Sequence, residues 1–166
     1  MPLKRTLLVA ALVVALDRAV KLWVVEGLDL RHRFFIEIWD PWLNLAMAWN
    51  RGVNFGLFDF GDAGRWVLVA LALVISTGVL WWTRRARGPW VPLGAGLVVG
   101  GAIGNAWDRL TWGAVADFIN MSCCGIDNPF AFNIADIAIF AGAGLLVLFG
   151  ERDANPERSR SRRKKA

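Results

Sequence analysis

Asp117 lies between Ala116 and Phe118 in an apolar, strand-like stretch with no basic neighbour in sequence, and Asp136 lies inside the apolar run 131–149. At 1.5 Å per residue, Asp136 is expected about 8 Å along a helix that starts with that run, below a membrane surface. Two carboxylates at one level in apolar surroundings are costly unless they share a proton. A shared proton is also what activation of water requires: one group ionised as base, its partner protonated as acid. That is the chemistry of an aspartyl hydrolase. Asn133, three residues before Asp136 and expected on the same helix face, is placed to orient what Asp136 holds. The same residue types also fit a proton or ion pathway, or a structural role in which Asp117 caps a loop and Asp136 makes one hydrogen bond.

Other catalytic chemistries are short of parts. One His (His32) and two Cys (Cys123, Cys124) are too few for a four-ligand Cys/His zinc site, and His32 is the one imidazole a Ser or Cys triad could use. The expected metal and cofactor complement is therefore none. Cys123 and Cys124 are adjacent, which is poor geometry for a disulfide, and they are read as inert thiols. The chain of 166 residues has room for one domain, and 56% hydrophobic residues with 10 Trp exclude disorder. The net charge of +5 is confined to short clusters between long apolar runs, a membrane-orientation pattern and not a nucleic-acid footprint.

Four apolar runs must position these groups. Residues 7–16 are unbroken, and the run resumes past Asp17, Arg18 and Lys21 to residue 25, about the 20 residues that a crossing needs. Internal charges and the lack of a small-residue cleavage site distinguish it from a cleaved signal peptide. The expected helices are about 6–25, 66–82, 90–107 and 131–149. They form an all-α membrane domain over 1–150, followed by a basic, disordered tail over 151–166 suited to anionic headgroups. Lys4 and Arg5, then Arg84, Arg85 and Arg87, then the tail share one side of four crossings, which puts both termini in the cytoplasm. The outward segments, 26–65 and 108–130, carry the unusual polar residues.

Asp17 and Lys21 are four apart, on one helix face, where such a pair neutralises itself or lines a polar site. Arg18 points elsewhere, either snorkelling or answering an acidic residue of the outer segments. Gly96, Gly100 and Gly104 line one face of the third helix and admit a close backbone. In Trp49-Asn-Arg-Gly-Val-Asn-Phe-Gly56, two glycines and two amides read as a turn, with Asn50 and Asn54 as candidate donors to a peptide backbone.

Taken together, the set resembles the lipoprotein signal peptidases (signal peptidase II), bacterial membrane proteins of four helices. The resemblance rests on five segments in order: Asp17 with Lys21 and Trp23; Asn50-Arg-Gly-Val-Asn-Phe-Gly56; Gly101-Ala-Ile-Gly-Asn-Ala-Trp-Asp-Arg109; Val115-Ala-Asp-Phe; and Phe132-Asn-Ile-Ala-Asp136. It implies that Asp117 and Asp136 are a catalytic dyad that removes the signal peptide from diacylglyceryl-modified prolipoproteins, cutting on the amino side of the lipidated Cys. It implies that Asn50, Asn105, Arg109 and Asn133 support the site or contact substrate, with Gly52, Asn54, Phe55, Gly56 and Gly101 in the same motifs and Asp17 and Lys21 nearby. It further implies a small, partly β periplasmic platform between helices 1 and 2, a loop after the third helix over the site, and a multi-pass protein of the cytoplasmic (inner) membrane. The expected partners are lipid-modified prolipoproteins and membrane lipids, with the chain a monomer. Arg18, Val20 and Asn54 depart from the family pattern at positions flanking the matched residues.

Overall fold

Pro2 has the fixed φ suited to a first helical turn, and a helix, α1, runs from there over Pro2–Leu22. It continues as a π-helical turn over Trp23–Gly27, so the helical rod exceeds the expected 6–25 at both ends. A short helix α2 (Leu30–Arg33) leads into strands β1 (Phe35–Trp39) and β2 (Leu43–Asn50). Helix α3 spans Asp62–Thr83 and α4 spans Trp90–Thr111, past its expected end at 107. Strands β3 (Val115–Asn120) and β4 (Ala131–Phe132) precede α5 (Ile134–Ala154). This computed structural model describes residues 1–52, 62–86, 88–125 and 128–154. Asn54, Phe55, Gly56, Arg87 and the tail from 155 onwards lie outside the described residues.

Helix α4 is the hub, packed on α1, α3 and α5. Its glycines make this close approach attainable on two faces. A Cβ at Gly100 would lie 2.6 Å from the Cβ of Val13 and 2.8 Å from the carbonyl oxygen of Ala10, both on α1. On the other face, a Cβ at Gly101 would collide with the carbonyl oxygen of Ala135 on α5.

The burial pattern is inverted relative to a water-soluble bundle. Leu8 and Leu12 on α1, Val67 and Val74 on α3, and Phe140 and Val147 on α5 are mostly exposed, while Asp17, Lys21, Asp108 and Asn133 are wholly buried. Apolar residues outside and charged residues inside suit a lipid solvent. Among the described helices, α3 is long and apolar enough to cross a membrane by length and composition alone, with a mean hydropathy of 1.9 in an 18-residue stretch within Ala63–Thr83. Helix α5 offers a shorter apolar stretch, Ile134–Gly150. The charges expected inside the first run, and the glycines of the third, dilute those two helices.

The four strands form one antiparallel sheet in the order β1-β2-β3-β4. This corrects the expected platform, which was confined to the segment between the first two long helices. Half of the sheet comes from the chain after α4, where Gly113, at φ +80°, turns the backbone back towards β2. A two-stranded hairpin alone is marginal, and β3 completes it. Phe118 of β3 is buried with Val24 and Leu30, and Val20, Leu45 and Met47 pack around them, so the sheet sits on the end of α1.

The fourth apolar run is corrected too. Residues 131–132 pair with Asn120 and Ile119 as β4, and α5 begins only at Ile134. Asn133 is therefore the cap of the helix and not a residue within it. Its Oδ1 accepts the backbone N–H of Asp136 at 2.9 Å. Asp136 accordingly stands in the first turn and not about 8 Å along the helix. Periodicity could not show this, because a two-residue strand and the start of an apolar helix read alike.

Candidate active site

Side chains alternate along a strand, so with Phe118 turned into the core, Asp117 faces the other way. Asp117 pairs with Ala48 across the β2–β3 ladder and Asn50 pairs with Val115, which places Asn50 and Asp117 diagonally on one face. The Nδ2 of Asn50 donates to Oδ2 of Asp117 at 3.1 Å, and the Nδ2 of Asn133 donates to Oδ1 at 2.6 Å. Both carboxyl oxygens are thus held by neutral amides, on a side chain that is almost wholly buried.

Asp136 is anchored by a matching arrangement. Its Oδ1 accepts from Nδ2 of Asn105 on α4 at 2.8 Å, and its Oδ2 faces the backbone N–H of Asn133 at 3.4 Å. The amide of Asn133 also donates to Oδ1 of Asn105 at 3.2 Å. One residue, Asn133, thereby touches both aspartates and the amide that holds the second. Burial pushes the Asp117 carboxyl up to about 7, and the negative charge of Asp136 adds to the rise. The amides of Asn50 and Asn133 and the charge of Lys21 offset part of it. An acid poised there exchanges a proton near neutral pH.

Behind the aspartates lies a buried charge cluster. The ammonium of Lys21 forms ion pairs with Oδ2 of Asp17 at 2.9 Å and Oδ2 of Asp108 at 2.7 Å, and donates to Oδ1 of Asn105 at 3.3 Å. The expected Asp17–Lys21 pair is present, and it extends to α4. The position of Arg18, left open by the sequence, is fixed: it pairs with Oδ1 of Asp108 at 2.6 Å and lies over the ring of Trp112 at 4.6 Å. Asp108 was not singled out from sequence. Its signal was the Asn105–Asp108 spacing of three on α4, which puts both on the face that meets Lys21.

Arg109 ties the second motif to the third. Its Nη1 donates to the carbonyl of Asn105 and its Nη2 to the carbonyl of Gly52, each at 3.3 Å. Its buried Nε has no acceptor among the described residues. Asp117, Asp136, Asn50, Asn105, Asn133, Arg109, Gly52, Asp17 and Lys21 thus fall in one connected region, and Gly101 lets α5 approach it. Cys123 and Cys124 are exposed on the β3–β4 connection, outside that network.

Comparisons with known proteins point the same way. The family model described as Signal peptidase (SPase) II matches residues 9–150. The lipoprotein signal peptidase of Methylorubrum extorquens (strain PA1) is 43% identical over 143 residues, covering 84% of this chain and 81% of that protein. That of Caulobacter vibrioides (strain ATCC 19089 / CIP 103742 / CB 15) is 38% identical over 141 residues, covering 84% and 82%. A solved structure described as a bacterial membrane enzyme, 23% identical, shares the fold with a TM-score of 0.75, covering 92% of this chain and 90% of its own. The matched segment contains both aspartates, the amides that hold them and the charge cluster behind them, and the chain belongs to the signal peptidase II family.

Proposed function

We propose that this chain is a membrane-embedded aspartyl endopeptidase. It removes the signal peptide from diacylglyceryl-modified prolipoproteins, cutting on the amino side of the lipidated cysteine. The observation that carries this reading is the pair of aspartates tied together by Asn133, which donates to Asp117 and caps the helix turn that bears Asp136.

The chemistry follows from the difference between the two environments. The raised proton affinity of Asp117 makes it the holder of the dyad's proton, which passes to the substrate carbonyl oxygen as water attacks. Asp136 takes a proton from water as the water oxygen attacks the carbonyl carbon. The product of that step is a neutral tetrahedral diol, and its collapse returns a proton to the leaving nitrogen with the two roles exchanged. Asn50, Asn105 and Asn133 hold the carboxyls in register throughout. Arg109 braces the site from behind, joining the carbonyl of Gly52 to that of Asn105.

A lipid-anchored substrate arrives by lateral diffusion, so its acyl chains and apolar helix contribute most of the affinity and the site positions one peptide bond. That agrees with an apolar exterior around a polar interior. In this reading the four long helices cross the bacterial inner membrane, both termini are cytoplasmic, and the sheet lies at the periplasmic face beside the dyad. The chain acts as a monomer.

The test is cleavage of a diacylglyceryl-modified prolipoprotein by purified protein in lipid, read as a gel shift. Wild type yields lipid-dependent product, and well-folded Asp117→Asn and Asp136→Asn variants yield none. Turnover retained by either variant removes the dyad. Proton flux in liposomes with no peptide product favours a carrier that uses the same carboxylates.

A further inference from the structure

The two aspartates of the proposed dyad are held by more than their side-chain amides. Ala116, the residue before Asp117, donates its backbone N–H to Oδ2 of Asp108 at 3.2 Å. Ala135, the residue before Asp136, donates its backbone N–H to Oδ1 of Asp17 at 3.0 Å. Asp108 and Asp17 come from different helices, α4 and α1, and one ammonium, that of Lys21, lies between them and touches both.

We infer that Asp17 and Asp108, bridged by Lys21, are positioning residues: each clamps the backbone immediately before one dyad aspartate, and the shared ammonium sets the separation of the two clamps. This rests on the dyad reading above.

The geometry separates a clamp from a plain structural ion cluster. Ala116 N–H points away from β2 and needs an acceptor, and Asp108 supplies it from within the protein interior. Ala135 N–H belongs to the first turn of α5, where no intrahelical partner exists, and Asp17 supplies its acceptor. A third link runs from Lys21 through Oδ1 of Asn105, whose Nδ2 holds Asp136. Moving the ammonium therefore shifts both carboxyl-bearing segments, and catalysis is sensitive to displacements of about 1 Å. Gly104 is part of the device, since a Cβ there would lie 2.7 Å from Oδ2 of Asp17.

Oxygens on one carboxyl have separate tasks, which gives the test its resolution. Oδ2 of Asp108 takes Ala116 and Lys21, while among the described residues Oδ1 takes Arg18, a side chain with a route to solvent. An Asn at 108 keeps an oxygen for Ala116 and Lys21 and turns its NH₂ towards Arg18, which swings outwards. An Ala keeps nothing.

The experiment measures kcat and KM on lipidated prolipoprotein for Asp108→Ala, Asp108→Asn and Arg18→Gln, with thermal unfolding in detergent as the check of folding and Asp117→Asn as the dyad control. Asp108→Ala is expected to lower kcat by 100-fold or more with KM within twofold. Asp108→Asn is expected to stay within tenfold of wild-type kcat, and Arg18→Gln within threefold. A folded Asp108→Ala with kcat within threefold of wild type overturns the clamp, as does equal loss in the Ala and Asn variants. If Asp108→Ala does not fold, a folded Asp108→Asn that loses more than 100-fold overturns it instead. Cleavage by Asp117→Asn in the same assay marks a failure of the dyad and not of the clamp.

Discussion

Asn133 holds Asp117 with one end of its amide and caps the helix of Asp136 with the other: Nδ2 lies 2.6 Å from Oδ1 of Asp117, and Oδ1 lies 2.9 Å from the backbone nitrogen of Asp136. A single planar group thus links strand β3 to helix α5 at the point where each bears a carboxylate. The two ends are separable by substitution. Serine accepts from the N–H groups of a helix start nearly as well as asparagine does but has no NH₂ to reach Asp117. Asn133→Ser is therefore expected to unfold within a few degrees of wild type while losing about 100-fold in kcat, a loss typical of removing one preorganised donor. Asn133→Ala loses the cap as well, at about 1 kcal/mol, and its thermal midpoint falls in addition. Thermal unfolding and cleavage rates measured on the same preparations separate the two roles.

The proton affinity of Asp117 makes a second prediction, with a definite sign. Its carboxyl is raised from 3.8 to about 7 by burial first and by Asp136 second. If Asp117 enters the reaction protonated, kcat falls tenfold per pH unit above pH 7, and the rate measured from pH 5 to 9 shows that alkaline limb. The same shift acts on stability. Between the unfolded value near 4 and the folded value near 7, the folded chain binds more protons than the unfolded one, so this group's contribution falls as pH rises across that window. Asp117→Asn removes the dependence. Its thermal midpoint is expected to gain on wild type from pH 5 to pH 8, at the cost of activity. A variant whose midpoint tracks wild type over that range contradicts the assignment.

Much of the site was legible because its residues are chemically costly where they stand. Asp17 and Lys21, four apart in an apolar run, announce a pair, and the structure brings them to 2.9 Å. Asp117 in an apolar, strand-like stretch is on a strand. The glycine spacing on the third helix is the face that meets α1. What sequence did not convey depends on long-range pairing. Nothing local in Val115–Asn120 says that it joins β2, some 70 residues away, and not a hairpin of its own. The spacing of Asp108 from Asn105 does not by itself show its role, because its partners, Arg18, Lys21 and the N–H of Ala116, come from two other segments. The start of α5 was misplaced for the same reason, since β4 exists only by virtue of Ile119 and Asn120.

Packing of α1 on α4 makes the last prediction, and it tests whether the glycine face is a requirement or a tolerance. A Cβ at Gly100 would lie 2.6 Å from the Cβ of Val13 and 2.8 Å from the carbonyl oxygen of Ala10. Neither neighbour is the free end of a flexible side chain, so the helices must separate. Overpacking of this kind costs about 1–3 kcal/mol. Gly78, on α3, has nothing within 4 Å of the same added atom. There the substitution exchanges a poor helix former for the best one, worth up to about 1 kcal/mol in favour of the helix. Gly100→Ala is accordingly expected to lower the thermal midpoint and Gly78→Ala to leave it unchanged or raise it. The activity of the two variants carries the further point. Separation of α1 from α4 pulls Asp17 and Lys21 away from Asp108 and Asn105, so Gly100→Ala is expected to lose kcat even at temperatures where it is fully folded. Gly78→Ala, remote from that interface, keeps wild-type kcat. Loss of stability without loss of kcat in Gly100→Ala shows that the aspartates hold their geometry independently of how closely the two helices pack.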